Sequence, residues 1–261
     1  MQMQNLALIK LGGSVVTFKD RPLAANSEAI DRVAKVLKDL AVPTIIVHGG
    51  GSFGHYWSVR YDMHTKPSRY DAHGVSVVHE SMVALNQIIV NSMINNGLNP
   101  YGLQPSVFTS AHRPITMKIK QLLAMARSRI MPVTFGDVVS IEGAKYTILS
   151  GDSLMTIIAR VLRPAKVIFA TNVDGIYSDL EARKLIPLIS ANASGKAYQV
   201  SVNTVSDVTG GMQRKITEAF KIASGGMDVM MVNGLYPERI VEAAQGKPTI
   251  GSLIKKRRSR S

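Results

Sequence analysis

Three short glycine-rich segments hold most of the chemistry that this 261-residue chain can offer. They are Gly12-Gly13 just behind Lys10, Gly49 to Gly54 running straight into His55, and Gly210-Gly211 ahead of Lys215. Glycine lets a backbone bend tightly and come close to a ligand. Where such a loop opens a helix, its free N–H groups and the positive end of the helix dipole attract phosphate. Any one of these loops alone reads as an ordinary turn beside a solvated lysine. Three in one chain, two of them with a lysine at hand, point to phosphate chemistry.

The segment Gly49-x-Gly51-x-x-Gly54 has the spacing of the dinucleotide fingerprint, which needs a strand before it, a helix after it and an acidic residue about 20 positions on. Only the preceding strand is evident, and Asp71 does not end an apolar run. The same segment fits Gly-x-x-x-x-Gly, but His55-Tyr56 stands where a P-loop needs Lys and Ser/Thr. A Rossmann oxidoreductase and a Walker A loop are therefore set aside in favour of another phosphate-binding device. His55 can donate to a phosphate oxygen and, when protonated, cancel charge. Of the other histidines, His48 reads as structural, and His64, His73, His79 and His112 receive no role.

These loops must be positioned by alternating strands and helices, the pattern of an α/β fold with a mainly parallel sheet. Leu6 to Leu11 reads as a buried strand, and Asn26 or Ser27 as the cap of a helix reaching towards Pro43. Thr44 to Val47 is a second strand that places the His48–His55 loop at its carboxyl end, where open α/β sheets bind ligands. Tyr56 to His73 is weakly periodic and is expected to be an unstructured lid, followed by a helix over about 75–95. Residues 131–149 alternate around Glu142-Gly143 as a β-hairpin, and Ser150-Gly-Asp-Ser opens another helix. Lys166 to Ala170 and Met227 to Val232 are further strands, and Pro237 to Ala244 a further helix.

Composition narrows the function. With 46% hydrophobic and 19% charged residues the chain is globular. Zero cysteines exclude disulfides and thiolate metal sites, and no run of ~18 uncharged apolar residues suggests a membrane span. Together with a start lacking a leader pattern, this gives the expectation of a cytoplasmic protein. The net charge of +13 suits an anionic ligand. Five of its positives, Lys255, Lys256, Arg257, Arg258 and Arg260, form a basic tail over 255–261. The tail reads as a solvated end whose sharper use is nonspecific contact with nucleic acid or acidic lipid.

Five segments in order, Lys10-Leu-Gly-Gly-Ser14, HGGGSFGH at 48–55, SGDS at 150–153, TNVDGIY at 171–177 and TGGMQRK at 209–215, resemble the amino acid kinase superfamily in its isopentenyl phosphate kinase branch. The resemblance implies a three-layer αβα sandwich spanning 1–254, with residues to about 163 holding a phosphate acceptor and about 164–254 holding ATP, as a homodimer. It implies ATP-dependent conversion of isopentenyl phosphate to isopentenyl diphosphate in isoprenoid biosynthesis, with Mg²⁺ bound through ATP phosphates and no protein metal ligand. In such a transfer the nucleophile is already an anion, so no strong base is required. Repulsion is the obstacle, about 4 kcal/mol for each unit-charge pair at ~4 Å and an effective dielectric near 20. Positioned cations and amide donors therefore matter most.

By the same resemblance, Lys10 and Lys215 act on the transferring phosphoryl group, and Asp152 holds these two lysines; its alternative is a plain helix cap. Gly12, Gly13, Ser14, Lys19, Gly50, Asp174 and Gly211 fall at the nucleotide. Gly49, Gly54, His55 and Gly151 fall at the acceptor, where the His marks acceptors carrying phosphate or phosphonate. Val75, Val78 and Met82, with Ile148 opposite, are expected to face the apolar tail. Two positions depart from the pattern: Asn172 where Asp is usual, and Ser153 where a second Asp is common. The alternatives are a fosfomycin-type phosphonate kinase, more distantly uridylate or carboxylate kinases, and a nonenzymatic nucleotide or nucleic-acid binder.

Overall fold

Leu6 and Leu8 pack into one apolar layer while Ala7, Ile9 and Leu11 pack into another, as a strand buried on both faces requires. This strand, β1 (Gln4–Leu11), lies inside an eight-stranded sheet in a computed structural model that describes residues 4–63, 65–110, 113–179, 184–191 and 211–257. The same division recurs in β2 (Thr44–His48), with Ile45 and Val47 on one side and Ile46 on the other. The remaining strands are β3 (Pro100–Leu103), a short pair β4 (Thr109–Ser110) and β5 (Arg113–Pro114), β6 (Met131–Phe135), β7 (Asp137–Ile141), β8 (Lys145–Leu149) and β9 (Pro164–Thr171). A second short pair, β10 (Tyr177–Asp179) and β11 (Lys184–Leu185), precedes β12 (Leu188–Ser190), β13 (Val229–Asn233) and β14 (Gly251–Lys255).

The sheet runs β12-β14-β13-β9-β1-β2-β6-β3. All of its neighbours pair in parallel except β13 and β14. The helices are α1 (Gly13–Val16), α2 (Ser27–Leu37), α3 (Gly51–Arg60), α4 (Ala72–Asn95), α5 (Thr116–Arg127) and α6 (Gly151–Leu162), followed by Gly211–Ser224 and Glu238–Gln245. One face of the sheet is covered by α5, α6 and the Gly211–Ser224 helix. The other is covered by α2, α4 and the Glu238–Gln245 helix. This is the three-layer αβα architecture that the resemblance implies, built on the mainly parallel sheet expected from the alternating pattern.

Local chemistry explains where elements start. The Asn26 side chain accepts from the Ala29 amide, Asp71 from the Gly74 amide, and Ser150 from the Ser153 amide, each satisfying an orphan donor of the helix that follows. Asp71, the acidic residue weighed for a dinucleotide fingerprint, is thus the cap of α4.

The unstructured stretch expected over Tyr56 to His73 is shorter at both ends in the structure. The helix α3 continues from the glycine loop to Arg60, and α4 begins at Ala72. Periodicity is faint in α3 because only Ser52 and Phe53 are buried along it, so no apolar stripe marks it as helical. The β7–β8 hairpin forms as expected but belongs to no part of the main sheet, whereas β6 joins that sheet beside β2.

Candidate active site

Side-chain parity along β1 aims Lys10 at the layer that holds Leu6 and Leu8, and there it meets the first turn of α6. Lys10 Nζ donates to Asp152 Oδ1 at 2.6 Å, and the two side chains are 2% and 8% exposed. The second carboxylate oxygen lies 3.8 Å from Lys215 Nζ, which also donates to the Gly211 carbonyl at 3.3 Å. Ser150 caps α6, so Asp152 is free of that task and stands between two lysines from opposite ends of the chain. Burial pushes the Asp152 carboxyl up, but the charges of Lys10 and Lys215 outweigh it and hold it below the usual carboxylate range. Burial pulls the Lys10 ammonium down against the raising effect of Asp152.

In sheet order β1 lies between β2 and β9, so the loops leaving these strands diverge around a crevice at their carboxyl ends. A cavity of about 330 Å³ occupies it. Its lining includes Gly50 and Gly51 at the start of α3, Ser150 and Gly151 at the start of α6, and Gly211 at the start of the last site helix. Three helix N-termini around one cavity make a preformed anion site. Two glycines are required by close approach. Gly13 packs against the backbone of Gly51, itself at φ +48°, and a side chain on Gly151 would stand 2.8 Å from both the His48 carbonyl and Lys10 Cε.

Lys10, Gly13, Ser14, Lys19, Gly211 and Lys215 all line this cavity, as do Asp152 and Gly151. The same wall carries Gly49, Gly50, Gly54 and His55, together with the apolar Val78, Met82 and Ile148. Met82 Sδ sits 3.0 Å from where a Cβ on either Gly50 or Gly54 would stand, so the thioether closes over the glycine turn. Val75 packs behind, in a small apolar cluster with Val78, Met63 and Val138.

Two residues expected at the nucleotide, Gly12 and Asp174, are not on this wall. The Gly12 amide is taken by the Ala170 carbonyl at 2.9 Å, and Gly12 is absent from the cavity wall. Asp174 is also absent from that wall, its carboxylate held by Arg239, Asn233 and Tyr177. These partners outweigh partial burial and keep it below its ordinary range. Gly210, Arg258 and Arg260 lie outside the described residues.

His48 is structural, as expected. It is fully buried and stacked on Phe135. A carbonyl can only accept, so Nδ1 donates to the Gly49 oxygen at 3.1 Å and Nε2 accepts from Asn86 at 3.1 Å, which fixes a neutral tautomer. Burial lowers its pKa to about 4.

Sequence reasoning missed Arg214 and Asp137, both on the cavity wall. Arg214 precedes Lys215 on the same helix and adds a further cation close enough to act on both Lys10 and Asp152. Asp137 follows Gly136 at the carboxyl end of β6, a position whose signal was present but unused. Among the described residues no three His, Asp or Glu side chains gather as a metal-binding group. Both oxygens of Asp152 already face lysines.

Residues 5–233 match the amino acid kinase family model. The chain is similar to isopentenyl phosphate kinase of Thermoplasma acidophilum, 31% identical over 255 residues that cover 96% of this chain and 100% of that one. It is 30% identical over 264 residues to the isopentenyl phosphate kinase of Methanothermobacter thermautotrophicus, covering 95% and 98% of the two chains. Among solved structures, the product complex of the T. acidophilum enzyme superposes with a TM-score of 0.78 at 29% identity, covering 96% of this chain and 100% of that one. An isopentenyl phosphate kinase substrate complex superposes with a TM-score of 0.77 at 30% identity, covering 97% and 100%.

Proposed function

Because the chain belongs to the amino acid kinase family, among its isopentenyl phosphate kinases, we propose that it transfers the terminal phosphoryl group of ATP to isopentenyl phosphate, giving isopentenyl diphosphate and ADP. The observation that carries this reading is a single cavity whose wall holds Lys10, Lys215 and His55 together with the apolar Val78, Met82 and Ile148. Cationic and apolar side chains on one wall suit an acceptor with a phosphate head and a short hydrocarbon tail.

The acceptor phosphate is an anion and attacks without a general base. His55 donates a hydrogen bond to it, and the backbone of Gly49, Gly54 and Gly151 surrounds it. Lys10 and Lys215 offset the charge that develops on the transferring group, and Asp152 keeps the two ammonium groups aimed at one point. Gly13, Ser14, Lys19, Gly50 and Gly211 fall to the nucleotide, with Asp174 at its periphery. Residues up to about 163 form mainly the acceptor side and those beyond it the ATP side. Mg²⁺ would partly neutralise the ATP phosphates and would be held by those phosphates and water, since Asp152 is committed to lysines.

The same reading carries a cytoplasmic homodimer. The strand β3, at the sheet edge with Tyr101 53% exposed, offers a surface for strand pairing. Sedimentation that finds a monomer would count against the dimer. The reaction itself is tested by ADP release with isopentenyl phosphate, dimethylallyl phosphate, fosfomycin, UMP and N-acetylglutamate. Highest turnover with isopentenyl phosphate is expected; a preference for fosfomycin would make the chain a phosphonate kinase, and no turnover with any acceptor would remove the kinase reading.

A further inference from the structure

His79 follows Val78 on α4, yet it points at the opposite wall of the acceptor cavity. Its Nδ1 lies 2.7 Å from Asp137 Oδ2 across 58 residues of sequence. Asp137 is 3% exposed, lines the cavity, and uses Oδ1 to accept the Val138 amide at 2.8 Å. It begins the β7–β8 hairpin, whose second strand carries Ile148 to the same cavity. The contact therefore joins the helix wall, Val78 and Met82, to the hairpin wall, Ile148. No ladder of the main sheet sets the distance between these walls, because the hairpin pairs with itself and, through a single bridge between Tyr146 and Ser68, with the segment ahead of α4.

The charge matters as much as the span. An uncompensated carboxylate on the wall of a site for a phosphate dianion would repel its ligand, and a protonated imidazole at hydrogen-bond distance cancels it. The charges bearing on the ring are Asp137 from β7 and Glu80 on its own helix; α2, α3, β3 and β6, which also pack on α4, contribute none. The Asp137 hydrogen bond, set against partial burial, raises the His79 pKa above its ordinary value, while burial raises that of Asp137.

Resting on the kinase reading, we propose that His79 is a positioning residue which, through Asp137, clamps the hairpin against α4 and masks the carboxylate, so that it governs acceptor affinity and its pH dependence but not ATP affinity.

The test is steady-state kinetics of wild type, His79→Ala, His79→Asn and Asp137→Asn from about pH 6 to about pH 9, varying isopentenyl phosphate and ATP separately. For the wild type, acceptor KM rises as pH climbs through the His79 titration, with ATP KM flat. His79→Ala raises acceptor KM about tenfold or more at neutral pH, the range for losing a charged hydrogen bond, with kcat and ATP KM within about threefold. His79→Asn keeps a donor towards Asp137 without a titrating proton, so it recovers part of the affinity and flattens the pH profile. An unchanged acceptor KM and pH profile in His79→Ala overturns the proposal, as does equal loss of acceptor and ATP affinity. NMR titration of His79 separates this from the kinase reading. Wild type should titrate above an ordinary histidine and Asp137→Asn should not, whatever the enzyme turns over; identical titrations would also overturn the clamp.

Discussion

Lys10 Nζ and Asp152 Oδ1 meet at 2.6 Å although 142 residues separate them in the chain. The ammonium reaches that point because an even-numbered position on β1 faces α6, and the carboxylate because Ser150, two residues earlier, has taken the cap of that helix. A buried pair of this kind costs desolvation that only its full set of partners offsets, so removing one member leaves a charge stranded.

Asp152→Asn is expected to lower kcat by about 100-fold or more, because two misaligned ammonium groups no longer converge on the phosphoryl group. It should also destabilise the fold by roughly 3 kcal/mol through the buried Lys10 charge. ADP-release kinetics and urea unfolding measure the two effects. Turnover within threefold of wild type would show that Asp152 does not organise the lysines.

His55→Ala should reduce kcat/KM for isopentenyl phosphate by about 100-fold while ATP binding, followed by calorimetry, stays within about threefold. His55→Asn, which keeps a donor but cannot be charged, is expected to fall between the two. Equal loss of ATP affinity would move His55 away from the acceptor side.

Arg214→Ala should raise ATP KM about tenfold, and Arg214→Glu more, since each removes a cation from the wall that also holds Lys10 and Lys215. The difference between variant and wild type should shrink with added salt, as expected for a charge near solvent. A variant with unaltered ATP KM at low salt would make Arg214 a bystander.

Acid should weaken the fold partly through His48. Unfolded, it binds a proton near 6.5, but folded only near 4, so between these values the unfolded chain holds more protons and stability falls as pH drops. The change across that window is about 3 kcal/mol at most, and it is complete by about pH 4. Urea midpoints of wild type and His48→Gln between pH 7 and pH 4, at about half-unit steps, check this. The variant, lower in stability at neutral pH, should show the shallower slope, and parallel curves would assign the acid sensitivity elsewhere.

The basic end should be separable from catalysis if it is cut in the right place. Lys255 closes β14, and the amides of Lys256 and Arg257 donate to Asp228 and to the Ala223 carbonyl. A truncation after Arg257 therefore spares the anchored residues, whereas one beginning at Lys255 removes them. The shorter truncation is expected to leave kinase turnover within twofold and to lower the salt needed for elution from heparin. Loss of turnover would tie the tail to the active site.

The glycine loops, Lys10, His55, SGDS and Lys215 were legible in the chain because their signals are local: a bend residue, a charge and an apolar strand lie within a few positions of one another. The buried strand β1 was legible for the same reason, since Leu6 to Leu11 is an apolar run written in consecutive residues. The length of α3 was not, because its few buried positions leave no stripe to read. Nor was the bond of His79 to Asp137 or the place of Arg214 on the cavity wall. Those depend on how α4 rests on a hairpin outside the main sheet, and on which side of its helix a lone arginine emerges. Sequence thus determined the phosphate-binding elements and their order, through short-range backbone preference and hydrophobic period. Only the packed structure decided which charges share a cavity, because that choice is made by side chains meeting across tens of residues, where one turn of a helix separates a ligand contact from solvent.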